Sequence, residues 1–217
     1  MKHRPTASRF FSEEEKKKIQ ETTRDVESRT IGEIVVAVAE SSDPYAEADL
    51  LGGILLGSFL SFTLTALFFH SSIWFFLPMS FLFYFPFRWI VRKGIPVKTC
   101  LISRERKAEA VRKRAIGAFY EHGLYKTKMN TGVLFFFSLL ERKVWVLADA
   151  GIHEKIGQET LNRFAMLVSQ GVRDGRPCEA LCEAIGEIGK LLSQHFPMTP
   201  EDTNELPDAV IMEETPS

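Results

Sequence analysis

Charge is missing from one stretch of this sequence and balanced across the rest. Between Leu50 and Phe87 there is no Asp, Glu, Lys or Arg, so all 27 basic and 28 acidic side chains of the 217 residues lie outside it. The formal net charge of -1 argues against a protein that binds polyanions through bulk charge. Cysteine is scarce, and the three present (Cys100, Cys178, Cys182) are an odd number in a long chain. That excludes a disulfide framework and points to a reducing compartment. Met1 to Phe11 is basic and runs into Ser12-Glu13-Glu14-Glu15, without the apolar core or cleavage site of a secretory signal. No Gly-rich phosphate loop ending in Lys, no dinucleotide fingerprint, no His-Glu-x-x-His and no cysteine pairs at zinc spacing occur. Cys178 and Cys182 fall on one helical face with Leu181 and Ile185, as core residues do.

The uncharged stretch divides into two apolar runs, residues 50–69 and 73–91, around His70-Ser71-Ser72. Each has the roughly 20 residues that a helix needs to cross a hydrocarbon core of about 30 Å. The expectation is a transmembrane hairpin with both flanks on one side. Ten cations between Arg88 and Arg114, opposed by Glu105 and Glu109 alone, place that side in the cytoplasm and His70 outside. Both termini are then cytoplasmic in a multi-pass protein of the inner (plasma) membrane. Trp74, Tyr84 and Trp89 suit the interfaces. Gly53, Gly57, Ser61 and Thr65 recur every four residues as a small-residue stripe, which favours packing of the two spans together over a homodimer. Pro78 and Pro86 each remove a helical donor from the second span. Arg88, Arg92, Lys93 and Lys98 are candidates for anionic lipid headgroups. Nucleic acid is not expected, since no aromatic platform is interleaved with the cations.

Around the hairpin the patterns are those of an α/β domain. Ser12 with Glu15 forms a capping box for a helix carrying Ile19, Thr22 or Thr23, and Val26. Glu33 to Ala39 is apolar and β-branched at consecutive positions, as a strand covered on both faces would be. A helix over 103–122 ends at Gly123; strands follow at 133–140 and 144–148 around a turn at Glu141-Arg142. Two amphipathic helices come next, one through Leu161, Phe164 and Val168, the other through Leu181, Ile185, Ile188 and Leu192. The boundaries are then residues 1–49 and 92–196 for one interrupted domain, 50–91 for the hairpin, and 197–217 for an acidic, Pro-containing tail, disordered or loosely docked, with Leu206-Pro207 and Val210-Ile211 offering a short contact.

Thr30-Ile31-Gly32-Glu33-Ile34-Val35-Val36-Ala37-Val38 resembles the first-strand signature of the TPM domain family. Asn130-Thr131-Gly132-Val133-Leu134-Phe135-Phe136 resembles its second, and Arg142 to Ile152 its third. The resemblance implies a three-layer α/β/α sandwich with a small mixed sheet. Relatives in that family include thylakoid-lumen proteins linked to photosystem II repair, a receptor-associated membrane protein and bacterial membrane-anchored proteins, and acid phosphatase activity is attributed to some. This chain departs from the pattern in carrying its spans inside the domain and in having Asp149 where Gly is common.

Phosphoryl hydrolysis would draw on the end of the sheet where Thr127 to Gly132 and Asp149 to His153 converge. Asp149, Glu154 and Asn130 could hold calcium or magnesium, with Asp149 and His153 as catalytic groups. A plainer assignment has Asn130 shaping a turn, Asp149 capping a helix, and His153 and Glu154 solvated. The expected function is an anchored module that acts in protein interaction or membrane-component maintenance on the cytosolic face; the alternative is a weak metal-dependent acid phosphatase.

Overall fold

A computed structural model describes residues 7–68, 73–93, 95–127, 129–199, 206 and 209–213. After a single turn, α1 (Ala7–Phe10), the Ser12 hydroxyl accepts from the Glu15 amide at 3.2 Å while Glu15 accepts from the Ser12 amide at 2.8 Å, opening α2 (Glu13–Glu27). Two donors that a helix end would leave bare are thereby satisfied. Strand β1 (Glu33–Ala39) follows and is buried at all seven positions. Next come α3 (Ala46–Phe68), α4 (Ile73–Lys93), a short α5 (Ile95–Leu101) and α6 (Arg104–Glu121). Gly123, at φ 75°, stops that helix in the left-handed region where a Cβ is penalised, and one 3-10 turn (Leu124–Lys126) leads on. Strands β2 (Gly132–Ser138) and β3 (Lys143–Ala148) precede α7 (Ala150–Ile156), α8 (Gln158–Arg173) and α9 (Pro177–His195). The last element is a three-residue strand, β4 (Ile211–Glu213).

The fold is mixed α/β, and the four strands among the described residues form one sheet in the order β3-β2-β1-β4. β1 runs parallel to β2, with Glu33 opposite Gly132 and Ala39 opposite Ser138, and parallel to β4 on its other side. β2 and β3 are antiparallel. Because side chains alternate along a strand, Ile34, Val36, Val38, Val133, Phe135 and Phe137 share one face and pack with Ile19, Val26, Phe164, Ile185 and Ile188. Val35, Ala37, Leu134 and Phe136 share the other with Val111, Ala115, Ala118 and Phe119 of α6. Burial on both sides explains why β1 and β2 read as unbroken apolar runs. Cys178 is buried in the first of these cores and Cys182 packs against it.

Several boundaries differ from the sequence reading. β2 stops at Ser138 because the consecutive Leu139 and Leu140 amides both donate toward the end of β1, to the Ala39 and Glu40 carbonyls at 3.0 Å, whereas the amides of a ladder alternate sides. The first apolar helix starts at Ala46, four residues before the uncharged run, since helix geometry does not require apolar side chains in its first turn. α5 is not signalled by the sequence pattern, and β4 gives the tail a strand where disorder or a loose contact was expected.

The chain divides into two compact units, residues 1–43 with 108–217, and residues 44–107. Within the second, α3 and α4 pack along the small-residue stripe. A Cβ on Gly53 would sit 2.9 Å from Arg88 Cβ, and one on Gly57 would sit 3.1 Å from the Tyr84 backbone nitrogen. Ser61 donates to the Phe76 carbonyl at 2.9 Å, and Thr65 is buried in the same seam. The stripe thus serves close approach within the helix pair. α4 stays helical through Pro78 and Pro86. Both helices are long and apolar enough to span a membrane, and their outward side chains are bare, with Phe59 71% and Trp74 83% exposed. The expected turn at His70 lies outside the described residues.

Candidate functional site

At the amino-terminal end of β1 and β2 the loop before β2 is braced by side-chain bonds. The Thr131 amide donates to Thr127 Oγ1 at 3.0 Å, the Thr131 hydroxyl donates to the Ile31 carbonyl at 2.9 Å, and the Asn130 amide donates to the Thr127 carbonyl at 3.1 Å. Asn130 takes φ 54°, a left-handed conformation that Asn tolerates better than most residues, and its side chain is exposed. Across from it β3 ends where the Asp149 amide donates to the Gly132 carbonyl at 2.9 Å. Gly151 permits the close approach of loop and helix, since a Cβ there would lie 2.8 Å from the Asn130 carbonyl oxygen and 2.9 Å from that of Met129.

Asp149 is the N-cap of α7, with Oδ1 accepting from the Ala150 amide at 2.7 Å. Its Oδ2 is buried and meets no hydrogen-bond partner among the described residues. His153 and Glu154 project from the exposed side of α7, and Glu154 lies 3.8 Å from the Lys155 ammonium. Asn130 and Asp149 therefore come from adjoining segments, whereas His153 and Glu154 face solvent. Among the described residues no three His, Cys, Asp or Glu side chains gather as a metal site.

The four proposed headgroup cations separate. Arg88, Arg92 and Lys93 are exposed on the last turns of α4; Arg88 donates to the Tyr84 hydroxyl at 3.2 Å, and the Lys93 ammonium lies 4.0 Å from the Trp89 ring centroid. Lys98 does not belong with them. Its ammonium pairs with Asp49 at 2.9 Å, with both side chains about nine-tenths buried, and donates to the Pro44 carbonyl at 2.6 Å. Arg106 likewise meets Glu47 at 3.2 Å. The acidic residues in the first turn of α3, of little weight for topology, here neutralise two of the ten cations.

Two polar clusters were missed. Beyond the carboxyl ends of β1 and β2, Glu141 accepts from the Ser42 amide at 3.0 Å and from the Ser138 hydroxyl, which lies 2.7 Å from the Ser42 hydroxyl. All three residues are buried. On β4, Glu213 is buried between Arg114 and His122 of the α6 region, bonded to both, while Arg114 also donates to both carboxylate oxygens of Glu121 at 3.1 Å. Burial would push the Glu213 carboxyl up, but the His122 hydrogen bond and the Arg114 charge together outweigh it and hold the carboxyl below its ordinary range. Partners 91 and 99 residues away leave no local spacing to find.

No protein-family model matches the chain, and no curated protein is significantly similar to it in sequence. Among solved structures, it is similar to the NMR structure of the BA42 protein from the psychrophilic bacterium Bizionia argentinensis, with a TM-score of 0.59 and 19% identity. The match covers 94% of this chain and 96% of that one. At that identity the likeness concerns the mixed α/β fold alone.

Proposed function

We propose that this chain is a membrane-anchored, TPM-like three-layer module that binds membrane components from the cytosolic face. The observation that carries the reading is the helix pair α3 and α4, which buries its small residues inward and leaves large apolar side chains uncovered outward. A soluble protein rarely exposes so much contiguous apolar surface, whereas lipid would cover it. Arg88, Arg92 and Lys93, exposed at the end of α4, suit a cytosolic interface with anionic lipid, each worth about 1 kcal/mol near such a surface. Lys98 drops out of that group. Both termini then lie in the cytosol, and the bound partner is a membrane protein. Alkaline carbonate extraction should leave the protein in the membrane pellet, and a carboxyl-terminal reporter fusion should be active only in the cytoplasm. Release into the supernatant would overturn the anchor; periplasmic reporter activity would overturn the topology. Affinity capture from detergent that recovers no stoichiometric partner would count against the binding role.

One observation favours a second reading, a weak metal-dependent acid phosphatase. The buried, unbonded Oδ2 of Asp149 is an atom that a hard cation would satisfy. Asp149 with Asn130 from the adjoining loop would hold the ion, Glu154 would have to turn in from the exposed side of α7, and a bound calcium or magnesium would polarise a phosphoryl oxygen. His153, exposed one turn into α7, would supply a proton to the leaving group. Equal hydrolysis by the purified protein and its Asp149→Ala variant across divalent metals would retire this reading.

A further inference from the structure

The outer edge of β1 is covered in two different ways. At its start the Ile34 amide donates to the carboxylate of Glu27 at 2.9 Å, so that half of the edge is closed by a side chain of α2. At its end Ala37, Val38 and Ala39 pair with Ile211, Met212 and Glu213. This second cover is only three residues long and is joined to α9 by residues 196–210. So short a strand contributes little through its ladder alone.

What holds it is side-chain chemistry. Ile211 packs on the α6 face of the sheet, Met212 on the opposite face, and the Glu213 carboxylate is buried against Arg114 and His122. Arg114 keeps a further donor in reserve, since its buried Nε meets no hydrogen-bond partner among the described residues. A planar guanidinium with an uncommitted N–H beside an imidazole is a carboxylate receptor. An adjacent sheet edge with an apolar slot adds what strand addition requires: main-chain bonds for affinity, and alternate side chains for selectivity.

We propose that the β1 edge, with Arg114 and His122, is a binding site for an extended acidic strand, which the chain's own Ile211–Glu213 fills in cis and a partner's strand of the same chemistry can fill in trans. The required motif is a branched apolar residue two positions before a glutamate, running parallel to β1. Because it belongs to the same chain, the cis strand competes at an effective concentration on the order of millimolar. The site is therefore shut to weak competitors and opens to a partner that is itself concentrated at the membrane. The identity of such a partner as a membrane component rests on the anchored-module reading; the exchange of strands does not.

The test uses the full chain in detergent and a fluorescent peptide of residues 206–217, followed by anisotropy. Weakening the cis strand by Ile211→Lys with Glu213→Gln should tighten peptide binding about 30-fold over the unaltered chain, the scale set by breaking a buried charge pair. Adding Arg114→Gln, or placing Gln at the position of Glu213 in the peptide, should abolish that gain. Equal peptide affinity for the unaltered and weakened chains overturns the proposal, as does a gain that persists without Arg114. Thermal unfolding of each variant reports whether it is folded; if the double variant is not, Glu213→Gln alone must still show a gain, and its absence there overturns the proposal equally. Carbonate extraction is unaffected by either result and judges the anchor separately.

Discussion

Asp149 can be made to separate a helix cap from a cation ligand. Its Oδ1 bonds the first amide of α7 and its Oδ2 is buried without a partner, so Asp149→Ala removes one hydrogen bond and one negative charge from a helix start. Loss of the cap costs about 1 kcal/mol, and loss of the charge beside the helix dipole roughly 0.3–1 kcal/mol more. A chain of this size shifts its midpoint by about 2–4 °C per kcal/mol, so thermal unfolding should fall by roughly 3–8 °C. Asp149→Asn keeps an acceptor at the capping position and loses only the charge, so it should fall by less than half as much. Each protein is then heated with a chelator, with calcium and with magnesium. A cation held by Asp149 at a hundred times its dissociation constant would add about 2.7 kcal/mol to the unaltered protein and little to the Asn variant, whose cap is intact but whose charge is gone. If Asn costs as much as Ala in the chelator, the capping argument is refuted. If the cation raises both proteins equally, Asp149 is no ligand and the phosphatase reading goes with it.

Three other perturbations have signed outcomes. Glu213 has its carboxyl held below the ordinary range in the folded chain, so its contribution is fully present above the unfolded carboxylate value and is lost as pH falls through the folded one. Glu213→Gln should therefore be destabilising at neutral pH, with the gap in an acid titration followed by circular dichroism closing at the lowest pH values. The Cys178 thiol is pushed up to about 12 by burial and by neighbouring Cys182, whereas Cys100 is exposed. Iodoacetamide at mildly alkaline pH should label Cys100 and spare Cys178, as read by peptide mass spectrometry. Gly171 and Gly186 should respond oppositely to alanine. A Cβ on Gly171 would fall 2.1 Å from Ala180 Cβ, so α8 and α9 must part, at a cost of about 1–3 kcal/mol; at Gly186 nothing lies within 4 Å, and helix propensity should yield a gain of roughly 0.5–1 kcal/mol in chemical denaturation.

Local pattern was enough for much of this molecule because its signals are local. The uncharged run with its small-residue stripe announced two packed apolar helices, and the consecutive β-branched residues of β1 announced a strand buried on both faces. The Ser12 and Glu15 pair announced a helix start, since capping involves groups three residues apart. Asp149 as a helix cap was legible for the same reason. What only the tertiary structure decided are the meetings of residues distant in sequence. Lys98 reads as one more cation in a basic stretch until Asp49 is found against it; the tail reads as solvated acid until Glu213 is found between Arg114 and His122. Charge written along a chain records composition, but which charges are buried together depends on how the elements pack. That packing, and not the spacing of Asn130, Asp149, His153 and Glu154, set which of them adjoin and which face solvent.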